Sequence, residues 1–263
     1  MFFGISGAVL APVFSHVMQT LGYGPLTLAA GVAIIAIGTV AALLVRLPAK
    51  PAASASGAIP ADIPGVLTLT LGQSLHTRSF WLLWFTYALA GAAGMAMVPL
   101  SVNYGIRQGL AISQAVLILT AFNLTNGLSR FVSGYFSDVM GRKQILGNTL
   151  LLAGLAYFLF PYLSGQLIWA VLAAVIGFSF GTLHSVAPPM VSDCFGMEKF
   201  GSVFGMVFTA FGFISGALGP WLSGFLLDIT RENFTLVFFY LGVLLVSAAL
   251  LVLIASSRTE CRF

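Results

Sequence analysis

Charge is what this sequence has least of. Only 7% of its 263 residues are charged, while 59% are hydrophobic. A soluble globular domain carries roughly 25% charged residues, and so few cannot cover a water-exposed surface for a chain of this length. The apolar residues run along nearly the whole chain, which excludes a soluble domain on a single anchor. Cysteine is almost missing as well. Cys194 and Cys261 stand far apart, with no C-x-x-C and no Cys/His cluster, so two reduced, structural thiols are expected and a metal centre is not. There is no G-x-S-x-G, no H-E-x-x-H, no P-loop and no carboxylate pair inside an apolar stretch. Enzyme activity and a cofactor are therefore not expected, and any transport energy must come from gradients or exchange. Without a basic stripe interleaved with aromatics, nucleic acid is not an expected partner. Met1 runs straight into apolar sequence with no basic leader region, so no cleavable signal peptide is expected.

What the chain does have is long apolar runs. A bilayer core of about 30 Å is crossed by about 20 helical residues. Eight stretches have that character: 2–20, 26–46, 79–103, 113–134, 146–163, 167–190, 202–226 and 234–256. The expected fold is all-α integral membrane with about eight transmembrane helices, and the bilayer is the first expected partner. Most connections are short. The stretch 47–78 is different, with Pro48, Pro51, Pro60 and Pro64 in an Ala/Ser/Gly run. Such composition packs no core and reads as a linker. The expected domains are residues 1–46 (two spans), the linker 47–78 and a six-span unit 79–263.

Basic residues collect on the cytoplasmic side of membrane proteins. The linker and its flanks, the loops after 134 and 190, and the C-terminus hold Arg46, Lys50, Arg78, Arg142, Lys143, Lys199, Arg258 and Arg262. The opposite connections hold only Arg107 and Arg231. The linker and both termini are therefore expected in the cytoplasm, in a multi-pass protein of the cell (plasma or inner) membrane.

Between the fourth and fifth spans the sequence reads Gly134-Tyr-Phe-Ser-Asp138-Val-Met-Gly141-Arg142-Lys143. This resembles the G-x-x-x-D-x-x-G-R-K loop of the major facilitator superfamily. Each position has a physical reason. Gly134 is expected to let two helices approach closely. Asp138 offers a carboxylate at a helix end for Arg142 or a neighbouring helix N-terminus, and Gly141 permits a tight turn. Such a lock holds one conformation and releases in another. The resemblance implies two six-helix bundles joined by a cytoplasmic linker. The chain would then hold the last two helices of the N-terminal bundle and a complete C-terminal bundle, with four missing N-terminal helices needed for a complete carrier. A narrower likeness lies in Val191-Ser-Asp193-Cys194-Phe195-Gly196, Phe200-Gly201, Gly205-Met-Val-Phe-Thr209-Ala-Phe-Gly212 and Gly216-Ala-Leu-Gly219-Pro220-Trp221. It is similar to the oxalate/formate antiporter family, which includes related monocarboxylate carriers, and Gly4 to Pro12 looks like that family's fifth helix.

Arg130 is the sharpest candidate for substrate contact. It lies inside a span, where a charge is by default a functional-site hypothesis. Asn123, Asn126, Gly127 and Gly134 share its helical spacing, giving one polar or small face on an apolar helix. A guanidinium matches a carboxylate bidentately, and the resemblance implies a carboxylate-binding arginine at this position. The competing reading has Arg130 snorkelling to the cytoplasmic end or joining the Asp138 network. The family's oxalate carriers pair that arginine with a lysine whose counterpart here is Phe211. One cation instead of two favours a monocarboxylate over oxalate. His184 is a candidate acceptor for a coupling proton, beside Pro188 and Pro189, against the plainer reading of a neutral, satisfied side chain. His16 invites the same comparison. Asn103 and Tyr104 are candidates for an outer vestibule. Gly201, Gly205, Gly212 and Gly216 form small-xxx-small pairs expected to pack against a helix. Trp81, Trp84, Trp169 and Trp221 read as interfacial aromatics. The expected function is secondary transport of a small organic anion by proton symport or anion exchange. The alternative is a non-transporting membrane sensor or assembly partner derived from a transporter.

Overall fold

The computed structural model describes residues 2–44, 71–197 and 200–254. The basic residues Arg46, Lys50, Lys199, Arg258 and Arg262, together with Cys261 and most of the expected linker, lie outside the described residues. Two compact units emerge, Val13–Val66 and Met1–Pro12 with Leu67–Phe263. In sequence order the first helices are α1 (Phe2–Leu21) and α2 (Tyr23–Leu44). Gly22 separates them at φ +82°, a left-handed conformation that glycine adopts without strain. None of the residues of α2 is buried. An apolar helix with no buried face is incompatible with water and calls for lipid or protein around it.

The second part contains α3 (Leu71–Leu75), α4 (Arg78–Arg107), α5 (Ile112–Met140), α6 (Arg142–Leu159) and α7 (Gln166–Phe195). It continues with α8 (Phe200–Thr209), two π-helical stretches (Ala210–Ser215 and Ala217–Trp221), α9 (Leu222–Ile229) and α10 (Phe234–Ile254). Each expected span coincides with a helix or, for 202–226, with the broken rod α8–α9. Among the described residues, six helices are long and apolar enough to cross a membrane. Of the eight expected spans, α1 and α6 are not among these six; α6 opens on Arg142-Lys143-Gln144 over 18 residues. The described end of the expected linker is partly helical, since α3 packs on α4 and α8 and buries Ser74.

Small residues set the helix spacing. The tightest pair is α5 with α7. A Cβ on Gly177 would collide with the Phe122 carbonyl, and one on Gly181 with Ser129 Oγ and the Asn126 carbonyl. The Thr125 hydroxyl crosses that seam to donate to the Ala174 carbonyl at 2.7 Å, and the Ser133 and Ser185 hydroxyls meet at 2.9 Å. Gly154 on α6 approaches the Gly242 carbonyl of α10, and Gly219 lies against the Ala92 carbonyl of α4. In a bilayer such close backbone approach provides the packing that the hydrophobic effect no longer drives.

Several expectations are corrected here. Gly134 and the Gly201, Gly205, Gly212, Gly216 stripe have no atom within 4 Å of a built Cβ. Among the described residues, no helix packs on them. Tyr104 is buried in an aromatic cluster with Phe160, Trp169, Phe234 and Phe238, at ring separations of 5.0–5.5 Å, so it does not line a vestibule. Trp169 is core too, and Trp84 is half-buried and hydrogen-bonded to Thr209. Only Trp81 and Trp221 are exposed. Cys194 is buried at the end of α7, and Cys261 lies outside the described residues.

Candidate functional site

Arg130 sits in the second half of α5 and is half-buried. The guanidinium lies within electrostatic reach of Tyr87 on α4 and His184 on α7. Three helices thus bring three polar side chains to one place. The walls are aromatic. His184 faces Phe180, Phe211 and Phe208 at centroid distances of 4.8, 5.0 and 6.4 Å, and Tyr87 at 6.1 Å. Phe208 closes the ring, 5.8 Å from Tyr87 and 5.1 Å from Phe211. Arg130, His184 and Phe211, picked from sequence on three separate spans, are brought together.

His184 Nδ1 lies 2.9 Å from the Phe180 carbonyl oxygen. A carbonyl only accepts, so Nδ1 carries the proton in this bond and Nε2 of the neutral ring presents a lone pair. Phe211 is held by the irregular backbone of the rod. Gly212, Gly216, Gly219 and Pro220 weaken the α-helical ladder there, and π-helical turns result; such turns are frequent at functional sites. Two side-chain donors tie that stretch to α4. Trp84 Nε1 donates to Thr209 Oγ1 at 3.2 Å, and Ser215 Oγ donates to the Tyr87 and Ala88 carbonyls at 3.1 and 3.0 Å.

The two asparagines sit differently. Asn126 is buried in the α5–α7 seam beside Gly181. Asn123 is half-buried almost two turns before Arg130. The face read as one polar stripe therefore divides between the α5–α7 seam and the aromatic pocket.

The gate motif is mostly helix, not loop. α5 continues through Asp138 to Met140, and Gly141 alone makes the turn, at φ +96° and ψ +131°. It caps the end of α5 and precedes α6, which starts at Arg142. Arg142 reaches Asp193 at the end of α7 at 2.5 Å and Asp138 at 3.3 Å. One guanidinium thereby ties three helices at the basic end of the unit. Lys143 follows on the first turn of α6. Asp193 as a gate partner escaped the sequence reading, as did Tyr87. An aspartate closing an apolar span was the available signal for the first. A tyrosine among the small residues of α4 gave none.

At the far end, Arg107 pairs with Glu232. Beside them lies a cavity of about 350 Å³ lined by Asn103, Arg107, Asp228, Glu232 and apolar neighbours. Asn103 is thus a lining residue as expected. Arg231 and Glu232 have positive φ, the turn being closed by Glu232 N–H donating to the Leu227 carbonyl at 2.7 Å.

Comparison with known proteins agrees with this architecture. Residues 100–260 match the family described as Major Facilitator Superfamily. Over 210 residues the chain is 25% identical to the oxalate:formate antiporter of Oxalobacter formigenes, covering 79% of this chain and 49% of that protein. It is 26% identical over 186 residues to the uncharacterized MFS-type transporter YhjX of Escherichia coli (strain K12), covering 69% and 44%. With monocarboxylate transporter 11 of Homo sapiens it shares 27% identity over 259 residues, covering 94% and 52%. The chain spans about half the length of the curated relatives it matches. The likeness read from the Gly134–Lys143 motif and from the C-terminal glycines is borne out.

Proposed function

The chain belongs to the major facilitator superfamily, a multi-pass membrane protein family, and on that premise we propose that it works in secondary transport of a small organic anion. The carrying observation is that Arg130, His184 and Tyr87, from three helices, come together, with the rings of Phe180, Phe208 and Phe211 around His184. A guanidinium near His184 and Tyr87 is suited to a carboxylate, which it can bind by charge-assisted, bidentate hydrogen bonds. The relatives named for oxalate, formate and monocarboxylates support that substrate class. Phe211 offers no second cation, which favours a monocarboxylate over oxalate. His184, neutral with Nε2 as an acceptor, is the group assigned to a coupling proton if transport is symport. Exchange of one anion for another needs no such group.

In this proposal residues 1–46 are the remainder of an N-terminal bundle, 47–78 a cytoplasmic linker and 79–263 the C-terminal bundle. The linker and both ends face the cytoplasm, in the cell (plasma or inner) membrane. Two bundles rock about a site near the midplane, and Arg142 with Asp138 and Asp193 holds the cytoplasmic side in one of the two states.

The test uses the complete reading frame that encodes the chain, expressed in cells. Uptake of labelled formate, pyruvate, lactate and oxalate is compared with an empty vector. Uptake of at least one monocarboxylate is expected, with Arg130→Gln abolishing it while the protein still reaches the membrane. Unchanged uptake in Arg130→Gln would remove the carboxylate role. Absence of any monocarboxylate uptake would overturn the substrate class.

A further inference from the structure

Tyr87 lies in the first third of α4 and is fully buried. Among the described residues its hydroxyl has no hydrogen-bond partner. Buried phenols are ordinarily paired, because an unmade bond leaves the whole desolvation penalty in place. Other tyrosines of this bundle obey the rule. Tyr157 donates to the Ala93 carbonyl at 2.6 Å, and Tyr240 donates to the Leu218 carbonyl.

The surroundings of Tyr87 say what kind of group would complete it. Its ring neighbours Phe204 and Phe208 offer no acceptor, and His184, whose ring lies 6.1 Å away, makes no hydrogen bond to the phenol. Ser215 donates to the Tyr87 carbonyl, and the ring itself is closed off from solvent. The charged neighbour is Arg130, whose guanidinium has five N–H donors and no lone pair to offer. The phenol carries an O–H donor and the nearby guanidinium carries N–H donors. An oxygen carrying negative charge accepts from both, and a carboxylate has about four lone-pair positions for doing so.

We propose that Tyr87 is a substrate-binding residue whose hydroxyl donates a hydrogen bond to the carboxylate held by Arg130. The proposal rests on the carboxylate reading of Arg130 given above. It adds a second contact from a different helix, which orients the carboxylate and couples α4 to α5 when the anion is bound.

The test is thermal unfolding of the purified full-length protein and its variants. Sodium formate, acetate, pyruvate, lactate and malonate are each compared with sodium chloride. The wild type is expected to be stabilised by at least one carboxylate, and Arg130→Gln by none. Tyr87→Phe keeps the ring packing and removes only the hydroxyl. Losing a hydrogen bond to a charged acceptor weakens binding about ten- to a hundredfold, so its carboxylate-induced shift shrinks and its apparent Kd rises by that factor. In sodium chloride alone, Tyr87→Phe melts no lower than wild type, because the group it loses is unpaired there. A hydroxyl with a merely structural role would lower the melting temperature in chloride and leave the apparent Kd unchanged. If Arg130→Gln loses the shift while Tyr87→Phe keeps the wild-type Kd, the Tyr87 proposal is overturned and the carboxylate reading stands. If no carboxylate shifts the wild type, or Arg130→Gln is still shifted, the carboxylate reading fails and this proposal with it.

Discussion

The two glycines of the gate motif should respond to alanine with opposite signs. Gly141 holds φ +96° and ψ +131°, outside the regions open to L-residues with a side chain. A Cβ there would also meet Gln144 Oε1. That atom is the far end of a flexible side chain and can turn away, so the backbone term dominates. Holding a non-glycine residue in such a conformation costs about 1–3 kcal/mol. Relaxing φ instead would rotate α6 about its first residue and draw Arg142 off Asp193 and Asp138. Gly134 is different: it lies within α5, and a Cβ built on it meets nothing within 4 Å. Alanine there removes the helix-interior cost of glycine, about 0.8–1 kcal/mol. The assay is thermal unfolding in detergent, read by tryptophan fluorescence or by loss of monodisperse protein. Gly141→Ala is expected to melt below wild type and Gly134→Ala at or above it. Gly141→Ala melting as high as wild type, or Gly134→Ala falling as far as Gly141→Ala, would refute the reasoning.

Asp193→Asn should slow uptake more than Asp138→Asn, because Arg142 approaches Asp193 more closely. Both pairs are partly exposed, so each change is worth about 1 kcal/mol or less, a few-fold at most in initial rate. Equal and tenfold or larger losses from both would point to a role beyond ion pairing. Gly181→Ala should reduce the yield of folded protein. Its Cβ meets the Asn126 backbone carbonyl, which cannot rotate away, and overpacking of this kind costs about 1–3 kcal/mol. A variant that melts like wild type would mean that the α5–α7 seam is looser than described.

Much of the site was legible in advance, and the residues show why. Arg130 announced itself because a charge inside an apolar run is expensive and therefore kept for a reason. The motif from Gly134 to Lys143 carried its meaning in spacing alone. The reading went astray wherever meaning depended on a neighbour. Gly134 and the glycines of α8 looked like packing residues, yet the described helices leave them open. Gly177, Gly181 and Gly219 do the close packing instead. A small-residue repeat says that a helix can be approached, not which helix approaches. Tyr104 looked like a vestibule residue and Trp169 like an interfacial one, yet both are core, since an aromatic near a span end suits any of these roles.

Composition and periodicity determined the membrane as solvent, the helical fold and the approximate place of each span. The reason is that hydrocarbon leaves the backbone little choice: every N–H and C=O must be satisfied within the segment, so about 20 apolar residues in a row settle the matter locally. The tertiary structure alone decided which residues share a site. It brought Tyr87, Arg130, His184 and Phe211 from four rods to one pocket, and set Asp193 against Arg142 across 51 positions of sequence. Those meetings depend on helix rotation and crossing, which follow from close contacts such as Gly181 on Asn126 and Ser215 on Tyr87, and no single span carries that information.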